Sequence, residues 1–146
     1  MNIKNQKNGG MTLVEVLVVA AIISIIGGIS GLFLLKYLPE YHLRSAASAL
    51  SQDIRQTQIG ALRSIRTWNL TFDVPNNRYI ITDSGTGIIK TVNLSSFGDR
   101  ITLVAANSTS FTAEGTTQNQ ASIVISNSLG KTMQTDILLS GTVRVR

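Results

Sequence analysis

The sequence predicts an α+β protein in which one long N-terminal helix, in two halves, packs on an antiparallel β domain, giving a lollipop outline. Three observations carry that prediction. Residues 16–35 form an apolar run with no charged side chain. Leu43, Ala47, Leu50, Ile54, Ala61 and Ile65 then recur at helical steps, with Gln58 bridging the last gap, a pattern that gives a helix one face for a core. From Trp68 onward the period falls to two and glycines punctuate the chain, as in short strands joined by turns.

Residues 1–10 are polar and carry Lys4 and Lys7. They read as a leader that precedes the folded protein. The uncharged run that follows rises about 1.5 Å per helical residue, roughly 30 Å in all, which matches the hydrocarbon thickness of a bilayer. Residues 11–38 therefore read as a transmembrane helix. One carboxylate, Glu15, stands just inside its N-terminal edge. An acidic side chain deep in lipid costs roughly 2.5–3.5 kcal/mol and less near an end, so an anchor alone does not account for it. A secretory signal peptide accounts for it no better, since its apolar core is shorter and its small-residue cleavage site comes after that core. Here the pair Gly9-Gly10 comes before it.

Gly27 and Gly31 form a G-x-x-x-G pair beside Gly28, which lets helices approach closely in lipid. The same glycines weaken the helix by about 0.8–1 kcal/mol each relative to alanine, so 27–31 is where it is expected to loosen. Pro39 predicts a kink near Lys36 without a full stop. Residues 39–66 form the amphipathic half, and the whole helix from Met11 to Ile65 would be roughly 80 Å long.

Residues 67–146 form the β-rich domain. A hairpin is expected from Trp68–Val74 through Pro75-Asn76-Asn77 into Arg78–Thr82. Further strands are expected at 88–94, 101–105, 110–113, 121–126, 135–139 and 142–146. The formal charge is +5, and loss of Lys4 and Lys7 with the leader lowers it to +3, too mild an excess to imply a nucleic-acid partner by itself. There is no cysteine, which excludes disulfides and thiolate metal sites. His42 reads as a solvated surface residue, and Asp53, Asp73, Asp83, Asp99, Glu114 and Asp136 are scattered, mostly near turns. No nucleophile motif, metal spacing or phosphate loop is present; neither catalysis nor a cofactor is expected.

Gly10-Met11-Thr12-Leu13-Val14-Glu15 resembles the recognition site of type IV prepilins, with Met11 where the family usually has phenylalanine. The resemblance implies cleavage between Gly10 and Met11 by a prepilin peptidase, N-methylation of Met11, and assembly with other pilin or pseudopilin subunits on an inner-membrane platform. It places Glu15 opposite the new amine of a neighbouring subunit. It also implies a single-pass inner-membrane precursor with a cytoplasmic N-terminus and a periplasmic β domain, later part of an extracytoplasmic filament. The closing run from Ala121 to Arg146 is similar to the end of GspH/FimT-type minor pilins. In some competence-associated members of that type a terminal Gly-Arg-x-Arg motif is linked to DNA binding. This chain has Arg144 and Arg146 in the matching positions but Val143 where the glycine would stand. The arginines are candidate DNA contacts or, more simply, guards of an edge strand. A third reading is a tethered periplasmic binding domain that never polymerises.

Overall fold

A computed structural model describes residues 11–98 and 100–146, and the side chains of 29–36 are outside that description. A single helix, α1, runs Leu13–Ser64. Thr12 begins it: its hydroxyl accepts from the Glu15 N–H at 3.3 Å and its carbonyl from the Val16 N–H at 3.2 Å. Thr12 and Glu15 thus occupy the two positions of a capping box, and an acid there complements the helix dipole. Pro39 lies inside the helix without ending it. At the other end Ile65 has φ 53°, and the Arg66 N–H reaches back to the Ala61 carbonyl at 3.3 Å. This is a left-handed cap closed over the last turn.

The chain divides into two units, Met1–Lys36 and Tyr37–Arg146. In the first, the described apolar side chains are exposed, from Met11 at 65% and Leu13 at 76% to Ile26 at 60%. Among the described residues no helix is long and apolar enough to cross a membrane. Within the expected span 11–38 the side chains of residues 29–36 lie outside the description.

The second unit holds two four-stranded antiparallel sheets. One contains β1 (Trp68–Asp73), β2 (Arg78–Asp83), β3 (Gly87–Asn93) and β5 (Thr109–Phe111) in the order β3-β2-β1-β5. The other contains β4 (Thr102–Ala106), β6 (Ala121–Ser126), β7 (Thr132–Ile137) and β8 (Val143–Val145) in the order β4-β6-β7-β8. A 3-10 turn at Leu94–Phe97 connects them where the sequence extends β3 to Leu94. Asn77, in the β1–β2 turn, brackets the two sheets: its amide donates to the Ile101 carbonyl at 2.7 Å and accepts from the Leu103 N–H at 2.8 Å.

Both sheets bury their inner faces with α1. Leu50 and Ile54 from the helix join Leu70, Tyr79 and Phe111 from the first sheet and Ile123, Ile125 and Ile137 from the second. Each such side chain contributes about 1.5–3 kcal/mol of burial. Gly60 allows close approach, since a Cβ there would stand 2.7 Å from the Trp68 indole.

Four expectations are corrected. Ile65 is 79% exposed and not part of the core face, because the left-handed cap turns the chain away. The gap on that face is bridged by fully buried Thr57, whose hydroxyl bonds the Asp53 carbonyl; Gln58 instead reaches the Gly115 carbonyl at 2.7 Å. The strand expected at 135–139 is Thr132–Ile137, because Leu138 and Gly141 already belong to the turn. His42 is half-buried, its ring against Gly98, where a Cβ would come within 2.7 Å.

Candidate assembly site

The sequence-predicted site residues fall in separate places. Gly10, half of the expected cleavage site, lies outside the described residues. Met11 and Thr12 precede the first helical residue and Met11 is exposed. Glu15 is in the first turn, also exposed, with its backbone held by Thr12. Thr12 adds a cap to the motif, and T-x-x-E before an apolar run is the local signal for it. Around Gly27 and Gly28 there is open space, with nothing within 4 Å of a Cβ at either. Gly31 lies where side chains are outside the description. The first unit therefore presents an exposed apolar helix with one carboxylate near its start.

Arg144 and Arg146 sit in and just after β8, an edge strand. Arg144 stands opposite Asp136, and the Arg146 guanidinium is 3.9 Å from the same carboxylate. Bonds from Gln134 and Ser122, opposed by burial and aided by the Arg146 charge, hold Asp136 below the usual carboxylate range. The backbone of Arg146 exchanges both hydrogen bonds with Gln134, at 2.8 and 3.0 Å, which continues the ladder to the last residue. A carboxylate beside the arginines suits a guarded edge better than a phosphate cradle.

A third cluster has no local sequence signal. Asp53, read as one of the scattered carboxylates, lies mid-helix and buried. It accepts from the Tyr79 hydroxyl at 2.6 Å and from the Lys90 ammonium at 2.7 and 2.8 Å. Burial, then the Asp53 carboxylate, pushes the Tyr79 phenol well above its ordinary value. The cluster ties β2 and the edge strand β3 to α1.

Residues 5–31 match the model of the prokaryotic N-terminal methylation motif. The fold is similar to that of the minor pseudopilin EpsH from the type 2 secretion system of Vibrio cholerae. That match has a TM-score of 0.60 and 13% identity, over 72% of this chain and 96% of the other. It is also similar to the type IV minor pilin FimU of Pseudomonas aeruginosa in two crystal forms. Those matches have TM-scores of 0.58 and 0.56 and identities of 17% and 18%, over 71% of this chain and 87% and 92% of FimU. No curated protein sequence matches significantly. The N-terminal motif and the α+β domain are together similar to those of type IV pilin-like proteins. The fold resembles that of a minor pseudopilin and of a minor pilin alike.

Proposed function

We propose that the chain is a minor pilin or pseudopilin subunit of a type II secretion or type IV pilus-like filament. It is inserted in the bacterial inner membrane with a single pass, its N-terminus cytoplasmic and its β domain periplasmic. A prepilin peptidase cleaves it between Gly10 and Met11, and the new amine of Met11 is methylated. The assembly platform then docks its helix among other subunits. The observation that supports this reading is the methylation motif at the head of a helix whose described apolar side chains are exposed.

Glu15 acts as the register pin. At about 4 Å and an effective dielectric near 20, it and a neighbour's Met11 amine attract by roughly 4 kcal/mol before desolvation. That offsets the roughly 2.5–3.5 kcal/mol of a carboxylate held in lipid. The test is intact mass and filament yield of the full chain expressed with a prepilin peptidase. The wild type should lose residues 1–10 and gain a methyl group. Glu15→Val should be cleaved as efficiently yet disappear from sheared filaments. A protein that keeps Lys4 and Lys7, or a variant that assembles normally, refutes the proposal.

DNA capture is the second reading of the same subunit and would use Arg144 and Arg146. Its signature is duplex binding whose log affinity falls with log salt at a slope near −1.8, by the rule of about 0.9 per phosphate neutralised. Asp136 beside Arg146 weighs against it. Which machine the subunit serves follows from a deletion: loss of enzyme export, of twitching or of transformation selects secretion, pilus or competence.

A further inference from the structure

The turn between β6 and β7 is tightly closed, yet it ends in a leucine that faces solvent. Buried Asn127 closes it. Its side-chain carbonyl accepts from the Leu129 and Lys131 N–H groups, each at 3.0 Å, and its backbone N–H donates to the Lys131 carbonyl at 3.0 Å. Gly130, at φ 75°, supplies the left-handed residue that the turn needs. Leu129 at the tip is 56% exposed. An apolar tip already held in one conformation binds without a further ordering cost.

The turn lies at the end of its unit where the chain enters. Lys131 donates to Glu40 at 2.7 Å, near the start of that unit's share of α1. Further along the chain, Gly141 lies against the Gln58 side chain, about five turns or 27 Å along the helix from Glu40. β7 therefore runs beside α1, with its first residues and the turn before them at the Glu40 end. Glu40 follows Leu35, the last residue of the uncharged run, by about 8 Å of helical rise. The polar layer on each side of a bilayer is about 5–7 Å deep. The residues around Glu40 are of the kind that such a layer collects. Tyr37, Leu38 and Tyr41 are exposed, and Arg44 and Lys131 share the one carboxylate, which leaves a net positive charge.

We propose that Leu129 and Lys131 form a foot that rests on the lipid surface, with Leu129 at the upper acyl chains and Lys131 among anionic headgroups. The inference rests on the single-pass reading and adds a second, peripheral contact of the same subunit with the bilayer. A bilayer accepts a single apolar side chain whatever surrounds it. A stable protein interface needs about 800 Å² on each partner, far more than one leucine at a turn tip offers. The foot fixes the tilt of the β domain before assembly and is given up when the subunit leaves the membrane.

The chain has no cysteine, so a single thiol label can be placed at will. The test reconstitutes the full chain, carrying Ser128→Cys labelled with nitrobenzoxadiazole, in vesicles of phosphatidylethanolamine and phosphatidylglycerol doped with a lipid that bears a nitroxide near its headgroup. The same label on Glu114→Cys is the far-end reference, since the neighbouring Gly115 carbonyl accepts from Gln58. The label at Ser128 should be quenched about fivefold more strongly than the one at Glu114, as for an apolar tip drawn into the interface. Adding Leu129→Asp or Leu129→Ser should bring quenching down to the Glu114 level. Lys131→Gln, or phosphatidylcholine in place of phosphatidylglycerol, should give a partial loss. Equal quenching at the two sites overturns the inference. So does quenching at Ser128 that ignores Leu129→Asp, or that rises with protein density in the membrane, the mark of contact with a second copy. A chain that does not float with the vesicles removes the single-pass reading itself, and the inference with it.

Discussion

Asp53 sits on the buried face of α1, where an unpaired carboxylate would cost several kcal/mol. Tyr79 and Lys90 offset that cost with three short charge-assisted bonds. The two partners are unequal, because Tyr79 is buried while Lys90 is 48% exposed and reached by water. Asp53→Ala should therefore lower stability by about 2–4 kcal/mol, since it strands the Tyr79 hydroxyl in the core. Lys90→Met should cost only about 1 kcal/mol, in keeping with a half-exposed pair. Urea denaturation of the full chain in detergent measures both, and equal losses would show that the cluster acts as a closed unit. None of this was legible in sequence. Asp53 lies 26 residues from Tyr79 and 37 from Lys90, and a helical carboxylate without a local partner reads as solvated.

At the scale of elements, α1 ends where its residues make ending cheap at one terminus and costly at the other. Thr12 and Glu15 cap the start in a pattern visible in the sequence. Ile65 caps the finish in a left-handed conformation that a β-branched residue resists. Its apolar side chain at a helical step placed it in the expected core; its backbone angle puts it in water. Ile65→Gly keeps the cap and removes the strain, so it should stabilise the domain by about 1 kcal/mol, seen as a higher thermal midpoint. An unchanged or lower midpoint would mean that exposed Ile65 packs on something after all. The shifted strand β7 teaches a similar lesson. Ile137-Leu138-Leu139 looks like a strand, but Leu138 donates to the Thr142 carbonyl at 3.0 Å and Gly141 to Leu138 at 2.8 Å. Gly141, at φ 79°, allows that turn, and a Cβ there would overlap the Gln58 amide and the Gly115 carbonyl.

Across the whole molecule the carboxylates set the response to pH. Glu40 is held below its ordinary 4.5 by bonds from Lys131 and Arg44. Asp73 is lowered from 3.8 by Asn76 and then Arg78. For Asp83 burial acts upward, but the Thr86 hydroxyl, the Gly85 N–H and the Arg66 charge together outweigh it. Asp136 is lowered as well. Groups with depressed folded values stabilise the protein above the unfolded values and lose that contribution as pH falls through the folded ones. Tyr79 has the opposite sign: its raised value gives stability that is present below the ordinary 10.0 and lost as pH rises beyond it. Thermal midpoints followed by circular dichroism should be level near neutrality. They should fall below about pH 4 and again above about pH 10, the ordinary carboxylate and phenol ranges. A midpoint that stays level into acid would show that these ion pairs are screened by solvent and contribute little.

The sequence by itself determined the apolar helix with its methylation motif, the amphipathic half that follows it, and the change to strand periodicity at Trp68. Each of these depends on neighbours within a few positions, whose spacing fixes which face meets water and which meets protein or lipid. Only the tertiary structure decided that Asp53 is a buried anchor for Tyr79 and Lys90, and that Arg146 lies beside Asp136. Those outcomes depend on charges brought together by the sheets from distant parts of the chain, and no local period records such meetings.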